Sequence, residues 1–281
     1  MRRVSSAAAD RPRQLPSRRA FKREGPWRTQ CWSTQLTDAR TGQLLDLVEG
    51  RDAASPAAWL AARDPDWVAQ IRWGVLDLSG PYRSVFDTMC PDAGQVADPF
   101  HVVKLAGSKL DECRRRVQNE TLGHRGRKDD PLYRCRRLLL KAEERLDPNG
   151  SAKMAGLLRA GDPRGEVAYA YHAKEAVRFF YDIPDPVLAE RYLRELADDL
   201  QDSEFPPEVR SLGRTLKRWM RQICNWTLAR ASIGPTEAIN NLVKRVKRVA
   251  FGFRRFQNYR IRSLLYAGRP DWNLLDTITP H

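Results

Sequence analysis

The sequence contains few of the residues that build disulfide frameworks, zinc sites or membrane spans. Its five cysteines are widely separated and never form a Cys-x-x-Cys pair, which argues against a disulfide framework and a structural zinc site. No apolar run approaches the ~20 residues needed to cross a bilayer, and residues 1–20 lack the apolar core of a signal peptide. We therefore expect a globular protein of a reducing cytoplasm, with no membrane partner.

Acidic residues are almost missing from residues 234–265, which hold Glu237 and eight lysines or arginines. A second basic region, residues 1–28, holds nine lysines or arginines against two acids, and the whole chain carries a formal charge of +14. Two concentrated basic regions favour nucleic-acid binding, because cations that bind phosphates release condensed counterions. The alternative is a solvated helix face and a disordered basic tail.

Apolar residues in the C-terminal basic stretch recur at three- and four-residue steps, which predicts an amphipathic helix with one buried face. That face comprises Ile239, Leu242, Val243, Val246 and Val249. A second stripe at helical spacing comprises Glu237, Asn241, Lys244 and Arg248, and we expect it to face phosphates. The candidate DNA-binding residues are Lys244, Arg245, Lys247, Arg248, Arg254, Arg255 and Arg260.

The first hundred residues alternate strand and helix patterns. Residues 29–50 predict a hairpin, and a helix is expected over 56–70. A strand at 73–78, a helix at 82–90 and a second strand at 95–98 follow. This pattern is typical of a right-handed βαβ unit, in which the two strands are parallel. From residue 101 onward helical periodicity dominates.

Acids lie where these two parallel strands end. Asp77 and Asp98 follow the strands and are expected at one sheet edge, the usual place for a site in an open α/β sheet. With Glu237 they are candidate ligands for Mg²⁺, which needs only a few protein carboxylates and keeps several waters. Each acid alone has a simpler explanation, because such an aspartate more often caps a helix and a first-turn glutamate more often favours the helix dipole.

Three long stretches carry a resemblance to a known family. They are VLDLSGPYRSVFDTMCPDAGQVADPFHVVKLA (75–106), LDECRRRVQNETLGHRGRKDDPLYRCRRLL (110–139) and GPTEAINNLVKRVKRVAFGFRRFQNYRIRSLLYAG (234–268). They closely resemble the catalytic domain of bacterial DDE transposases of the ISL-three insertion-sequence group.

The resemblance implies a fold, a cofactor and partners. The implied fold is α/β, a ribonuclease-H-like mixed sheet with a large all-helical insertion between the second and third acids of a triad. The implied activity is Mg²⁺- or Mn²⁺-dependent cleavage and strand transfer at transposon ends. The partners would be transposon-end and target DNA and further copies of the chain in a homo-oligomer, in the bacterial cytoplasm.

Position by position, the resemblance assigns the second acid to Asp77 and the third to Glu237, which would be the catalytic and metal-binding pair. Asp98 matches another characteristic position, and we expect it to be a near-site acid and the fallback ligand. The expected organisation is a basic, disordered arm (1–27), the first part of the catalytic core (28–106), the helical insertion (107–231) and basic helices that complete the core (232–281).

The first acid of the triad has no counterpart at the expected place. In the family it stands in a Gly-x-Asp-Glu pattern just upstream of the region matching residues 21–25, where this chain has Leu15-Pro16-Ser17-Arg18-Arg19-Ala20. We therefore expect an amino-terminally truncated or decayed copy that cannot catalyse transposition alone. The alternative function is a non-catalytic DNA-binding remnant that binds transposon ends or inhibits an intact transposase.

Overall fold

The computed structural model describes residues 2–8, of which the backbone is described, together with 32–253 and 255–270. The chain divides into two compact units. The first unit is Met1–Gln95 with Ala231–His281, and the second is Val96–Arg230. The second unit therefore starts at Val96, earlier than the helical insertion expected from residue 107.

A five-stranded sheet has the order β3-β2-β1-β4-β5. Its strands are β1 (Arg2–Ala8), β2 (Ser33–Asp38), β3 (Gln43–Glu49), β4 (Ile71–Leu76) and β5 (Gly94–Ala97). β1 runs antiparallel to β2 and parallel to β4, and β2 runs antiparallel to β3 as the predicted hairpin.

Residues 2–8 differ from the expected disordered arm, because they form β1 in the middle of this sheet. The physical reason is backbone pairing: a strand between β2 and β4 satisfies the inner rows of amide and carbonyl groups of both. The remainder of the expected arm, 9–27, lies outside the described residues.

Twelve α-helices are described. Those of the first unit are α1 (Ala54–Ala61), α2 (Pro65–Ala69), α3 (Gly80–Met89), α11 (Gly234–Val249) and α12 (Phe256–Ala267). Those of the second unit are α4 (Pro99–Leu122), α5 (Pro131–Leu139), α6 (Pro148–Gly161), α7 (Glu166–Phe179), α8 (Pro186–Asp199), α9 (Pro207–Arg218) and α10 (Met220–Ala229), with short 3-10 helices at Glu143–Arg145 and Phe180–Asp182. None of the helices in the described ranges is long and apolar enough to cross a bilayer.

The β2–β3 hairpin packs against helices on both of its faces. On one face, the Tyr82 hydroxyl of α3 lies 2.8 Å from Thr34 Oγ1, and Thr34 in turn donates to the Gly50 carbonyl at 2.9 Å. On the other face, Leu44 and Leu47 of β3 form a buried apolar cluster with residues of α11 and α12. Alternation along a strand explains this division, because successive side chains point to opposite faces.

The apolar stripe predicted for α11 is correct over its first three turns and wrong at its end. Ile239 and Val243 are buried, and Leu242 and Val246 are half-buried. Val249 is 74% exposed and is the last residue of α11.

The second unit is helical and held by buried side chains between helices. Arg116 of α4 donates to both oxygens of Glu208 at 2.8 and 3.0 Å, and its guanidinium also contacts Glu166. Trp219 is both the C-cap of α9 and the N-cap of α10. Leu212, Leu216, Trp219 and Ile223 of this segment are buried.

Candidate active site and nucleic-acid interface

Asp77 stands immediately after β4, at the point where the chain turns into α3. The next residue, Leu78, has φ +62°, a left-handed conformation that is uncommon for a branched side chain. Such strain persists only where the surrounding structure imposes it, and it often accompanies functional positions. The turn holds the half-buried Asp77 at the carboxyl end of β4.

Glu237 lies in the first turn of α11, and the start of this helix is fixed to the sheet. Gln35 of β2, fully buried, donates from Nε2 to the carbonyl of Thr236 at 3.1 Å. Thr236 is also fully buried, whereas Glu237 beside it is exposed. The carboxylate therefore stands free of the core next to a rigid anchor.

Strand register connects these two acids. Gln35 pairs with Ala7 of β1, and the neighbouring residue Ser6 pairs with Leu76 of β4. Continued by one residue, this register sets Asp77 opposite Ala7, so that Asp77, Ala7 and Gln35 form one row across the sheet. Asp77 and Gln35, which are two strands apart in this row, therefore point to the same face, and strands about 4.8 Å apart set Asp77 roughly 10 Å from the residue that anchors α11.

This row sets Asp77 at the end and on the face of the sheet where α11, the helix that carries Glu237, begins. The long glutamate side chain can span part of the separation, and two carboxylates with water and phosphate oxygens suit one Mg²⁺. The residues present therefore fit a single divalent cation. A third acid is not supplied by β1, whose sequence RRVSSAA has none, and the described residues contain no group of three or more metal-ligating side chains.

Asp98 has a capping role in the second unit. It is the N-cap of α4, where Oδ2 accepts from the His101 backbone amide at 3.2 Å and lies 3.0 Å from His101 Nδ1. Asp98 is only 2% exposed. These contacts support a structural role for Asp98 in starting α4.

The polar stripe of α11 faces solvent. Glu237, Asn241, Lys244 and Arg248 are all exposed, as the helical spacing predicted. Arg245 and Arg255 are also exposed, and the half-buried Lys247 lies 5.9 Å from the centre of the Tyr259 ring. Arg254 falls outside the described residues. The resulting surface is an extended cationic face led by one carboxylate.

Comparison with known proteins identifies the family. A model of the DDE transposases of the ISL-three type matches residues 24–263. The chain belongs to this transposase family. The transposase of insertion sequence element IS1557 from Mycobacterium tuberculosis is 30% identical over 241 residues, which cover 79% of this chain and 53% of that protein.

A second relative gives the same family at lower identity. The transposase of insertion sequence element IS1001 from Bordetella parapertussis is 24% identical over 227 residues, which cover 79% of this chain and 54% of that protein. The chain thus spans about half the length of these curated relatives. No solved structure matches it.

In this transposase, Asp77, Asp98 and Glu237 all lie within the matched range, whereas β1 lies outside it. Arg260, which was predicted to bind DNA, forms an ion pair within the protein. Its guanidinium donates to both oxygens of Asp46 at 2.6 and 2.7 Å, and Asp46 also accepts from Trp59 Nε1 at 2.7 Å.

Two buried polar residues that hold α11 and α12 against the sheet were not predicted from the sequence. Gln35 is a polar residue at an inward position of β2, and Asp46 interrupts the apolar run of β3. Each is buried and hydrogen-bonded to a helix from the other end of the chain, Gln35 to α11 and Asp46 to α12. A polar side chain within a buried strand is the signal that would have indicated them.

Proposed function

We propose that this chain is the catalytic domain of an insertion-sequence transposase that keeps the second and third acids of the triad and a DNA-binding face. The observation that carries this proposal is the strand register, which, extended by one residue past Leu76, sets Asp77 on the sheet face where Gln35 anchors the helix of Glu237. A mixed sheet whose chain passes through a helical unit between these acids agrees with a ribonuclease-H-like core.

In the proposed site, Asp77 and Glu237 hold the divalent cation, and the cationic face of α11 holds DNA. When bound, Mg²⁺ or Mn²⁺ would polarise a phosphodiester and activate the attacking oxygen. Lys244 and Arg248 stand on the same exposed stripe as Glu237, so they would bind phosphates beside it. Arg260 is assigned to the fold because Asp46 holds it by two hydrogen bonds.

The substrates would be transposon-end and target DNA, bound by a homo-oligomer of the chain. This part of the proposal rests on membership of the transposase family and on the concentrated positive charge of α11 and α12. Cation-rich faces of this kind bind DNA with an affinity that falls steeply as salt concentration rises.

A second function, DNA binding without cleavage, is favoured by one observation. Ala7 stands between Asp77 and Gln35 in the row, at the place where a carboxylate from the central strand would complete three acids. With alanine there, the chain alone would bind DNA without holding a divalent cation and would not cleave strands. Such a chain would occupy transposon ends or join an intact transposase in mixed oligomers.

Isothermal titration with Mn²⁺ and a DNA-binding assay at several salt concentrations test both functions together. The catalytic-domain proposal expects weak Mn²⁺ binding that disappears in Asp77→Asn and Glu237→Gln, with salt-dependent DNA binding. No heat with Mn²⁺, combined with salt-dependent DNA binding, would leave only the binding function. Efficient Mn²⁺-dependent cleavage of transposon ends by the unsubstituted chain would refute the second function, DNA binding without cleavage.

A further inference from the structure

The turn between α11 and α12 presents a fully exposed aromatic ring. Phe251 is 100% exposed, the highest value among the exposed large apolar side chains of the described residues. Phe253, two residues later, is half-buried, and its ring centre lies 5.2 Å from that of Tyr259. The turn therefore has one phenylalanine that packs against the protein and one that projects into solvent.

The backbone holds Phe251 in a conformation that favours glycine. Its φ is +53°, and it occupies the position after the C-cap of α11, where its amide donates to Arg248 O and the Gly252 amide donates to Lys247 O, both at 3.1 Å. This pair of bonds is a Schellman motif, whose left-handed position is usually glycine. A bulky aromatic residue there is strained, and its ring gains no packing inside the protein to offset the strain.

Basic residues flank this ring on both sides in the sequence. Lys247 and Arg248 precede it in α11, and Arg255 and Arg262 follow it. Residues 238–265 contain no acidic side chain, and the neighbouring Val249 is 74% exposed. An apolar tip within a cationic surface is complementary to duplex DNA, where phosphates flank an apolar stack of bases.

We propose that Phe251 inserts its ring against the base stack of bound DNA while the cations around it hold the flanking phosphates. This inference rests on the proposed DNA-binding function and adds a base contact to it. The left-handed backbone keeps the ring directed away from the protein, and Phe253 with Tyr259 fixes the turn that carries it. An anionic membrane surface is the competing partner for a basic apolar tip.

Phe251→Gly separates a DNA contact from a structural role. Glycine relieves the strained φ, so we expect the melting temperature to rise or stay unchanged. The affinity for a short duplex should nevertheless fall by roughly tenfold, because a stacked ring is lost. The slope of affinity against salt should not change, because no phosphate contact is removed. Phe251→Trp should keep the affinity.

A duplex that carries 2-aminopurine reports the base contact itself. With the unsubstituted chain, insertion should change the 2-aminopurine fluorescence at the unstacked step, and Phe251→Gly should abolish that change. Phe179→Ala is the matched control, because Phe179 of α7 is also exposed, at 55%, outside the basic stretch. This control should leave affinity and fluorescence unchanged.

The outcomes distinguish this inference from the function on which it rests. Salt-dependent DNA binding with unchanged affinity and fluorescence in Phe251→Gly would overturn the ring contact alone. No DNA binding by the unsubstituted chain would overturn both proposals. Loss of binding to phosphatidylserine vesicles in Phe251→Gly, with duplex binding unchanged, would assign the ring to a membrane surface and overturn the base contact.

Discussion

At the scale of single residues, Asp46 has more structural consequence than any acid that the sequence analysis singled out. It is 3% exposed in β3, and it joins Trp59 of α1 and Arg260 of α12 to the sheet. The hydrogen bonds that Arg260 donates to Asp46 also raise the pKa of Arg260 above its ordinary value, so the guanidinium stays charged. Through these contacts, the buried Asp46 carboxylate fixes α12, which lies at the end of the basic surface.

Replacing Asp46 by asparagine should lower the free energy of unfolding by about 2–3 kcal/mol, because it leaves the guanidinium of Arg260 without its counter-charge at a largely buried contact. Urea unfolding followed by circular dichroism measures this change. Asp198→Asn is the control, because the Asp198–Lys217 pair has both side chains more than half exposed. The control should change stability by less than about 1 kcal/mol. Equal losses in the two variants would contradict the role assigned to Asp46.

At the scale of secondary-structure elements, α11 carries the two features on which function depends. Gln35 fixes its first turn to β2, and its outer stripe holds Glu237 and the cations. The helix therefore positions an acid and the proposed phosphate-binding face as one rigid piece.

Lys244→Ala and Arg248→Ala should each weaken DNA binding similarly for all sequences and reduce the salt slope by roughly one, because each removes one phosphate contact. Fluorescence anisotropy at several salt concentrations measures the slope. Arg159→Ala, which changes an exposed cation of α6, is the control and should leave the slope unchanged. An unchanged slope in both α11 variants would remove these side chains from the interface.

The sequence was informative about elements with a strong local pattern. Periodicity predicted α11, the β2–β3 hairpin, β4, α3 and β5, and the buried positions Ile239 and Val243. It did not predict β1, because RRVSSAA has no apolar alternation and its place is determined by backbone pairing with β2 and β4. Likewise, Arg260 appeared to be a DNA contact because its partner Asp46 lies 214 residues away in the sequence.

At the scale of the whole molecule, the two units depend on different interactions. The row of Asp77, Ala7 and Gln35 belongs to the first unit, whereas a network of ion pairs around Arg116 joins α4, α7 and α9 in the second. Burial of Glu208 acts to raise its pKa, but hydrogen bonds from Arg116 outweigh burial, and the pKa lies below its ordinary value of 4.5.

The second unit should therefore lose stability in acid. A carboxyl whose pKa is lowered by folding stabilises the folded state above the unfolded pKa, and that contribution is lost as the pH falls below about 4.5. Glu208→Gln should flatten this acid dependence. Hydrogen exchange of α4 and α9 between pH 7 and about pH 4 measures it.

Glu144→Gln is the control for this pH dependence. Its hydrogen bond with Arg178 lowers the pKa of Glu144 to about 2, but the pair lies at the surface, where solvent screening weakens its contribution. The control should keep the acid dependence of the unsubstituted chain. A steep acid dependence that persists in Glu208→Gln would contradict the assignment to the Arg116 network.

In the proposed site, Asp77 and Glu237 meet across β1, with Ala7 between them. Mn²⁺ titration of Ala7→Asp, followed by calorimetry and by the Mn²⁺-dependent rise in melting temperature, tests it most directly, with Ala7→Asn as the uncharged control. The account predicts an affinity at least about tenfold higher in Ala7→Asp, since each added carboxylate ligand strengthens a hard-cation site. This gain should disappear when Asp77→Asn or Glu237→Gln is added. No gain, or a gain that survives both of these changes, would contradict it.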